Sequence, residues 1–135
     1  MTIPDILRTY RTIAVVGQSD KPDRPSYAVS KYMLVQGYKI LPINPSLSYA
    51  LNLPCYPSLR ELPDALRRSV EIVNVFRRPE YVMPVVEEAI EIGAKVVWMQ
   101  LGVVNEQARR RAEEAGLIVV QNRCIAVEHR LHILT

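Results

Sequence analysis

The chain has 135 residues, 49% of them hydrophobic and 23% charged, with a formal net charge of +3. That length suits one domain, spanning 1–135, with a real core, and the composition is that of an ordinary globular protein. The mild positive charge fits an anionic ligand and is weak support for nucleic acid. Two cysteines, Cys55 and Cys124, are too few for a disulfide framework. Neither has a Cys or His nearby at zinc-like spacing. A reducing cytoplasm is the expected setting. No segment reaches the ~18 uninterrupted apolar residues of a membrane span, and the leading residues hold no apolar signal-peptide core.

Residues 3–11 predict a small leading helix. "TIAVVG" (12–17) then reads as a strand ending on a glycine. A polar loop punctuated by Pro22 and Pro25 follows. Ser26 to Gln36 predicts a helix, with Tyr27, Val29, Met33 and Leu34 at rough helical spacing and Gly37 as its stop. "YKILPIN" (38–44) is a second strand. "SLRELPDALRRS" predicts a capped turn, Ser58 with Glu61, and a short helix after Pro63.

"EIVNVF" (71–76) is a third strand. The next helix opens at Pro79 and stops at Gly93, with Pro84 marking a kink or a late start. "AKVVWMQ" (94–100) is a fourth strand. A helix capped by Asn105 and stopped by Gly116 follows. "GLIVVQ" (116–121) is a fifth strand, and 124–134 a final helix.

None of the five apolar runs alternates cleanly with polar residues. Such runs suit strands buried on both faces, hence a parallel sheet. The alternation with helices predicts an α/β, doubly wound, five-stranded sheet in the order 3-2-1-4-5.

In such a sheet a ligand lies beyond the carboxyl ends of the strands, where strand order reverses. The five strands deliver Gly17, Gln18 and Ser19; Asn44, Pro45 and Ser46; Phe76, Arg77 and Arg78; Gln100, Leu101 and Gly102; and Gln121, Asn122, Arg123 and Cys124. This rim is polar and cationic, with Asp20 and Asp23 as the nearby acids. Polar residues end strands in many proteins; five glycine, amide or arginine endings along one edge ask for more.

A dinucleotide site wants clustered glycines after strand 1 and an acid at the end of strand 2. Here the loop has one glycine, and strand 2 ends in "INPS". A P-loop fails too, because no "GK" followed by Ser or Thr exists. What remains is an anion site of another kind. Gly17 allows close backbone approach, Gln18 and Ser19 supply donors, Lys21 and Arg24 supply charge, and the next helix points its N-terminus at them. Ser26 caps that helix or meets a phosphate oxygen.

The stretches "VVGQSDKPDRPSY", "GYKILPINP", "NVFRRPEYV", "GAKVVWMQLGVVNE" and "NRCIAVEH", in this order, make residues 12–129 resemble the small coenzyme A-binding proteins. These are similar to the N-terminal domain of the succinyl-CoA synthetase α subunit. The resemblance implies a Rossmann-like fold, coenzyme A or an acyl-CoA as ligand, and no membrane or nucleic-acid partner. It implies that Gly17, Gln18, Ser19 and Lys21 hold the CoA phosphates, with Arg24 beside them. Asn44 and Pro45 match the strand-2 ending, and Val75, Phe76 and Arg77 the segment lining the cofactor after strand 3. Gln100, Leu101 and Gly102 match the loop near the pantetheine arm, and Asn122, Arg123 and Cys124 the final rim. Relatives often carry a lysine where this chain has Ser46, so the resemblance implies that the 3′-phosphate rests on Arg24 or Lys21, or binds more weakly.

The resemblance puts the phosphorylated histidine of the synthetases in a following domain. Neither His129 nor His132 is expected to inherit that role, and binding without catalysis is the expectation. Cys124, beside Arg123 at a helix start, invites a nucleophile's role, yet His129 lies at i+5, off its helical face. A mixed disulfide of Cys124 with the CoA thiol is the milder idea. Trp98 is assigned to the core or to the floor of the pantetheine path. Arg109 to Arg111 are read as a solvated helix face paired with Glu106, Glu113 and Glu114. An NAD(P) module with an atypical loop, or an interaction or nucleic-acid module, is the alternative.

Overall fold

A computed structural model describes residues 1–134. Seven strands and six α-helices follow in chain order: α1 (Ile3–Thr9), β1 (Thr12–Val16), α2 (Pro25–Val35), β2 (Lys39–Ile43), β3 (Tyr49–Ala50), β4 (Leu53–Pro54), α3 (Asp64–Ser69), β5 (Ile72–Val75), α4 (Val82–Glu91), β6 (Val96–Met99), α5 (Glu106–Glu114), β7 (Ile118–Val120) and α6 (Ile125–His132). A 3-10 turn, Pro79–Tyr81, leads into α4. Pro84 therefore marks a late helix start, in the first turn where its missing N–H costs nothing.

Local chemistry sets the ends. Thr2 and Asp5 form a reciprocal capping box on α1. Asn105 Oδ1 accepts the Ala108 N–H at 3.0 Å and starts α5. The Ser58 hydroxyl accepts the Glu61 N–H at 3.2 Å, closing the turn before α3.

The five main strands are parallel, in the order β2-β1-β5-β6-β7. Helices cover both faces. Ala14, Val16, Val73, Val75, Val97 and Met99 pack against α4 and α5. Ile13, Val15, Ile72, Val96 and Trp98 pack against α1, α2 and α6. Every residue of β5 and β6 is buried, as strands covered on both faces must be.

The sheet corrects the expected strand order. Counting the five long strands along the chain, it reads 2-1-3-4-5, not 3-2-1-4-5. β5 lies between β1 and β6, and β2 is the edge. Pro42 supplies the reason. It pairs with Val15 on its inner side, and without an N–H it has nothing to give a further strand outside it. Its carbonyl instead accepts the Tyr56 N–H at 3.0 Å, and the Tyr56 carbonyl accepts the Asn44 N–H at 2.9 Å. One returning segment closes the edge where a sixth strand would have been left short of bonds.

The β3–β4 hairpin was not foreseen. Its two-residue turn, Leu51 and Asn52, has φ of 57° and 60°. That is the left-handed geometry tight hairpins need, normally announced by Asn-Gly or Asp-Gly. Leu-Asn gives no such signal.

Candidate functional site

The corrected order moves the switch point. β1 leads to β2 on one side, while β5 enters on the other, so the crevice opens between the ends of β1 and β5. Gly17 and Phe76 stand at those ends. A Cβ on Gly17 would lie 2.1 Å from the Phe76 carbonyl oxygen, and Gly17 has φ +93°. Only glycine fits this crossing.

On the α2 side of the crossing a cavity of about 340 Å³ is lined by Gly17, Ser19, Lys21, Arg24, Pro25, Ser26 and Phe76. Lys21 and Arg24 are exposed at its mouth. No side chain caps α2: Arg24 occupies the cap position without a capping bond, and Pro25 follows. The eleven-residue helix therefore turns its positive end toward the cavity. Two cations, an uncapped helix terminus and a glycine that lets backbone come close make an anion cradle.

The loop is held by residues beneath it. Gln18 is fully buried. Its amide nitrogen donates to the carbonyls of Ser19 (2.8 Å) and Ser26 (3.2 Å), its oxygen accepts from the Ser30 hydroxyl (2.6 Å), and its backbone N–H goes to Ile43. Gln18 thus braces the loop with every donor committed inward, rather than offering any to a ligand. Ser26 accepts the Ser19 N–H at 2.9 Å. This explains why α2 buries Ser26 and Ser30 with Met33, rather than an apolar stripe. Asn44 completes the brace: its Nδ2 donates to the Gln18 carbonyl (2.8 Å) while its Oδ1 accepts from the Ser46 N–H (2.8 Å). Pro45 is exposed beside it.

Phe76 is shared with this cavity, but the residues on either side of it are not. Val75 is fully buried in the core. Arg77 lines a second cavity, of about 420 Å³, across the crossing on the α4 face. Val16, Ile43, Pro57, Leu59, Tyr81, Pro84 and Val85 give it apolar walls, with Ser58, Arg77 and Glu88 as its polar groups. The sequence reading found only Arg77 there. The other lining residues come from the ends of β1 and β2, from the segment after the hairpin, and from the 3-10 turn and α4, far apart along the chain.

The third group sits at the ends of β6 and β7. Gln100 is buried, and its Oε1 accepts the Ile125 N–H at 3.0 Å, capping α6 from the neighbouring strand. Asn122 has φ 56° and accepts the Gly102 N–H at 2.7 Å. The Trp98 indole donates to the Arg123 carbonyl at 2.8 Å, so Trp98, fully buried, supports this turn from the core. Leu101 (71% exposed) and Arg123 lie open on the surface. Cys124 is half-buried at the start of α6.

No catalytic pairing appears among the described residues. His129 is buried, and its Nδ1 lies 2.9 Å from the Tyr32 hydroxyl. His132 pairs with Glu128 at 3.0 Å. Burial pushes the Cys55 thiol up, against a smaller lowering by its bond to Asn44. Among the described residues no group of His, Cys, Asp or Glu could hold a metal, and no helix is long and apolar enough to cross a membrane. Several of the clustered arginines are ion-paired: Arg109 with Glu106 and Glu113, Arg111 with Glu87, Arg67 and Arg68 with Asp64.

The five parallel strands with helices on both faces form a Rossmann-like α/β fold, with the Gly17 loop at its switch point. Residues 11–130 match the family described as CoA binding domain, and the chain belongs to that family. It is 45% identical over 127 residues to the uncharacterized protein YneT of Bacillus subtilis, covering 94% of this chain and 91% of that one. It is 30% identical over 100 residues to an ADP-forming acetate–CoA ligase II of Archaeoglobus fulgidus, covering 71% of this chain and 15% of the ligase. A hypothetical protein from Pyrococcus horikoshii superposes with a TM-score of 0.91 at 43% identity, over 98% of this chain and 93% of that one.

Proposed function

We propose that this protein binds coenzyme A, free or acylated, across the carboxyl edge of its sheet, and that it performs no chemistry on it. The observation that carries the reading is the Gly17–Phe76 crossing, with a cationic cradle on one side and an apolar cavity on the other. The pyrophosphate lies over the Gly17 loop, against Lys21, Arg24 and the α2 terminus. The adenine enters the cavity walled by Ile43, Leu59 and Tyr81, with Arg77 beside it. The pantetheine runs toward Leu101 and Gly102, and its thiol ends near Cys124. Membership of the CoA binding domain family supports the same ligand.

A dinucleotide is disfavoured by Asn44. It stands where a ribose-binding acid would, and both ends of its amide are spent on Gln18 and Ser46. Catalysis is disfavoured because His129 Nδ1 faces the Tyr32 hydroxyl in the core, while Cys124 stands at the start of α6 with no side-chain capping bond.

Calorimetric titration with CoA, NAD⁺ and NADP⁺ tests the proposal. Micromolar CoA binding is expected, weakened roughly tenfold or more by Arg24→Ala or Lys21→Ala, since each removes a charge-assisted contact. Binding of NAD⁺ or NADP⁺ without CoA would reverse it.

A further inference from the structure

The cavity on the α4 face carries three polar groups among apolar walls: the Arg77 guanidinium, and Ser58 and Glu88, both half-buried. We propose that Ser58 and Glu88 read the Watson–Crick edge of the nucleobase and select a 6-aminopurine over a 6-oxopurine. This rests on the CoA reading above and makes Glu88 its specificity residue.

The walls suit a flat base. Val16, Ile43, Leu59, Tyr81, Pro84 and Val85 line a space of about 420 Å³, within the roughly 300–1,000 Å³ of ligand sites. Apolar walls fix a ring's plane but say little about its edge; a few placed polar groups do that.

Glu88 is one such group. Its Oε1 accepts the Arg60 N–H at 3.2 Å, which ties the carboxylate to the 57–60 segment forming the facing wall. The Arg60 guanidinium is turned to Glu91 instead. Glu88 therefore lines the cavity as an acceptor-only group with lone pairs beyond the one Arg60 uses. Ser58 is the other. Its oxygen accepts from the Glu61 N–H at 3.2 Å, and its proton remains to be donated.

An acceptor and a hydroxyl donor lining one cavity complement adenine. The exocyclic amino group donates to Glu88, and the ring N1 accepts from Ser58. A 6-oxo base reverses both signs, putting a carbonyl oxygen against a carboxylate. A site built to hydrogen-bond a group rejects the analogue lacking it, because the partner covered by the ligand is left unpaired. The same logic makes carboxylates partners of amino groups in base readout.

The test compares adenosine 3′,5′-bisphosphate with inosine 3′,5′-bisphosphate, and CoA alone, by calorimetry on wild type and Glu88→Gln. Glutamine keeps an oxygen for the Arg60 N–H and replaces the other oxygen by a donor. Wild type should prefer the adenine compound by about tenfold or more, and Glu88→Gln should erase or invert that preference. A merely structural Glu88 would weaken both ligands alike. Should Glu88→Gln not fold, the wild-type comparison decides by itself. CoA binding with equal affinity for the two bases overturns the specificity assignment and leaves the CoA reading standing. No CoA binding at all removes the reading and the inference together.

Discussion

The backbones of Gly17 and Phe76 meet so closely that a single methyl group on Gly17 would stand 2.1 Å from the Phe76 carbonyl oxygen. Gly17→Ala therefore faces both a clash with backbone and a left-handed φ. The strain alone costs about 1–3 kcal/mol, and relieving the clash means parting β1 from β5 at the switch point. The expected outcome is a lower melting temperature together with loss of CoA binding. A variant with wild-type stability and affinity would show that the crossing has room to spare.

Gln18 supports the same loop from below. Gln18→Leu keeps most of the volume and deletes three hydrogen bonds, leaving the Ser30 hydroxyl and the Ser19 and Ser26 carbonyls without that partner. Unpaired buried groups cost roughly 1–3 kcal/mol each at the upper end of their range. Stability should fall by a few kcal/mol in urea unfolding, and CoA affinity should fall with it as the loop loosens. An affinity loss with unchanged unfolding would instead return Gln18 to the ligand.

The contrast between Gln18 and Arg24 shows what the sequence made legible. Five apolar runs and their glycine stops were enough to place every long strand and helix, because period and capping are local. The loop after β1 was readable as one unit for the same reason: Gly17, Ser19, Lys21 and Arg24 lie within eight residues and share one cavity. Gln18, in the same run, points the other way, and nothing local tells the two apart. Strand order failed because it depends on where β5 lands, although Pro42 held the clue that β2 is an edge. The second cavity was out of reach. Its walls come from four separate segments, and Glu88 reads as an ordinary solvated glutamate on α4.

Asn74 sits mid-strand in β5, between Val15 of β1 and Trp98 of β6. It is 1% exposed, and its Oδ1 has no partner among the described residues. An unsatisfied buried carbonyl is costly, and valine fits a central strand better. Asn74→Val should raise stability by about 1 kcal/mol, read as a higher urea midpoint at unchanged slope. CoA affinity should hold. Lower stability would mean that the amide has found a partner in solution.

His129 gives the protein an acid-sensitive core. Its ring lies 5.5 Å from those of Tyr32 and Tyr38, edge to face, with the Tyr32 hydroxyl at 2.9 Å from Nδ1. Arg11 and Arg130 stack over the two tyrosines at 5.0 Å. Burial, then the charge of Arg11, holds the imidazole below its ordinary value of 6.5. The folded protein thus keeps His129 neutral where the unfolded chain already binds a proton. Proton uptake on unfolding means that stability falls as pH drops below about 6.5 and is fully present above it. Melting temperatures between pH 5 and 7.5 should show this loss. His129→Gln should flatten the profile, while His132→Gln, on the exposed end of α6, should leave the acid loss in place. If the His129→Gln profile keeps its acid slope, the sensitivity lies in the carboxylates and not in this ring.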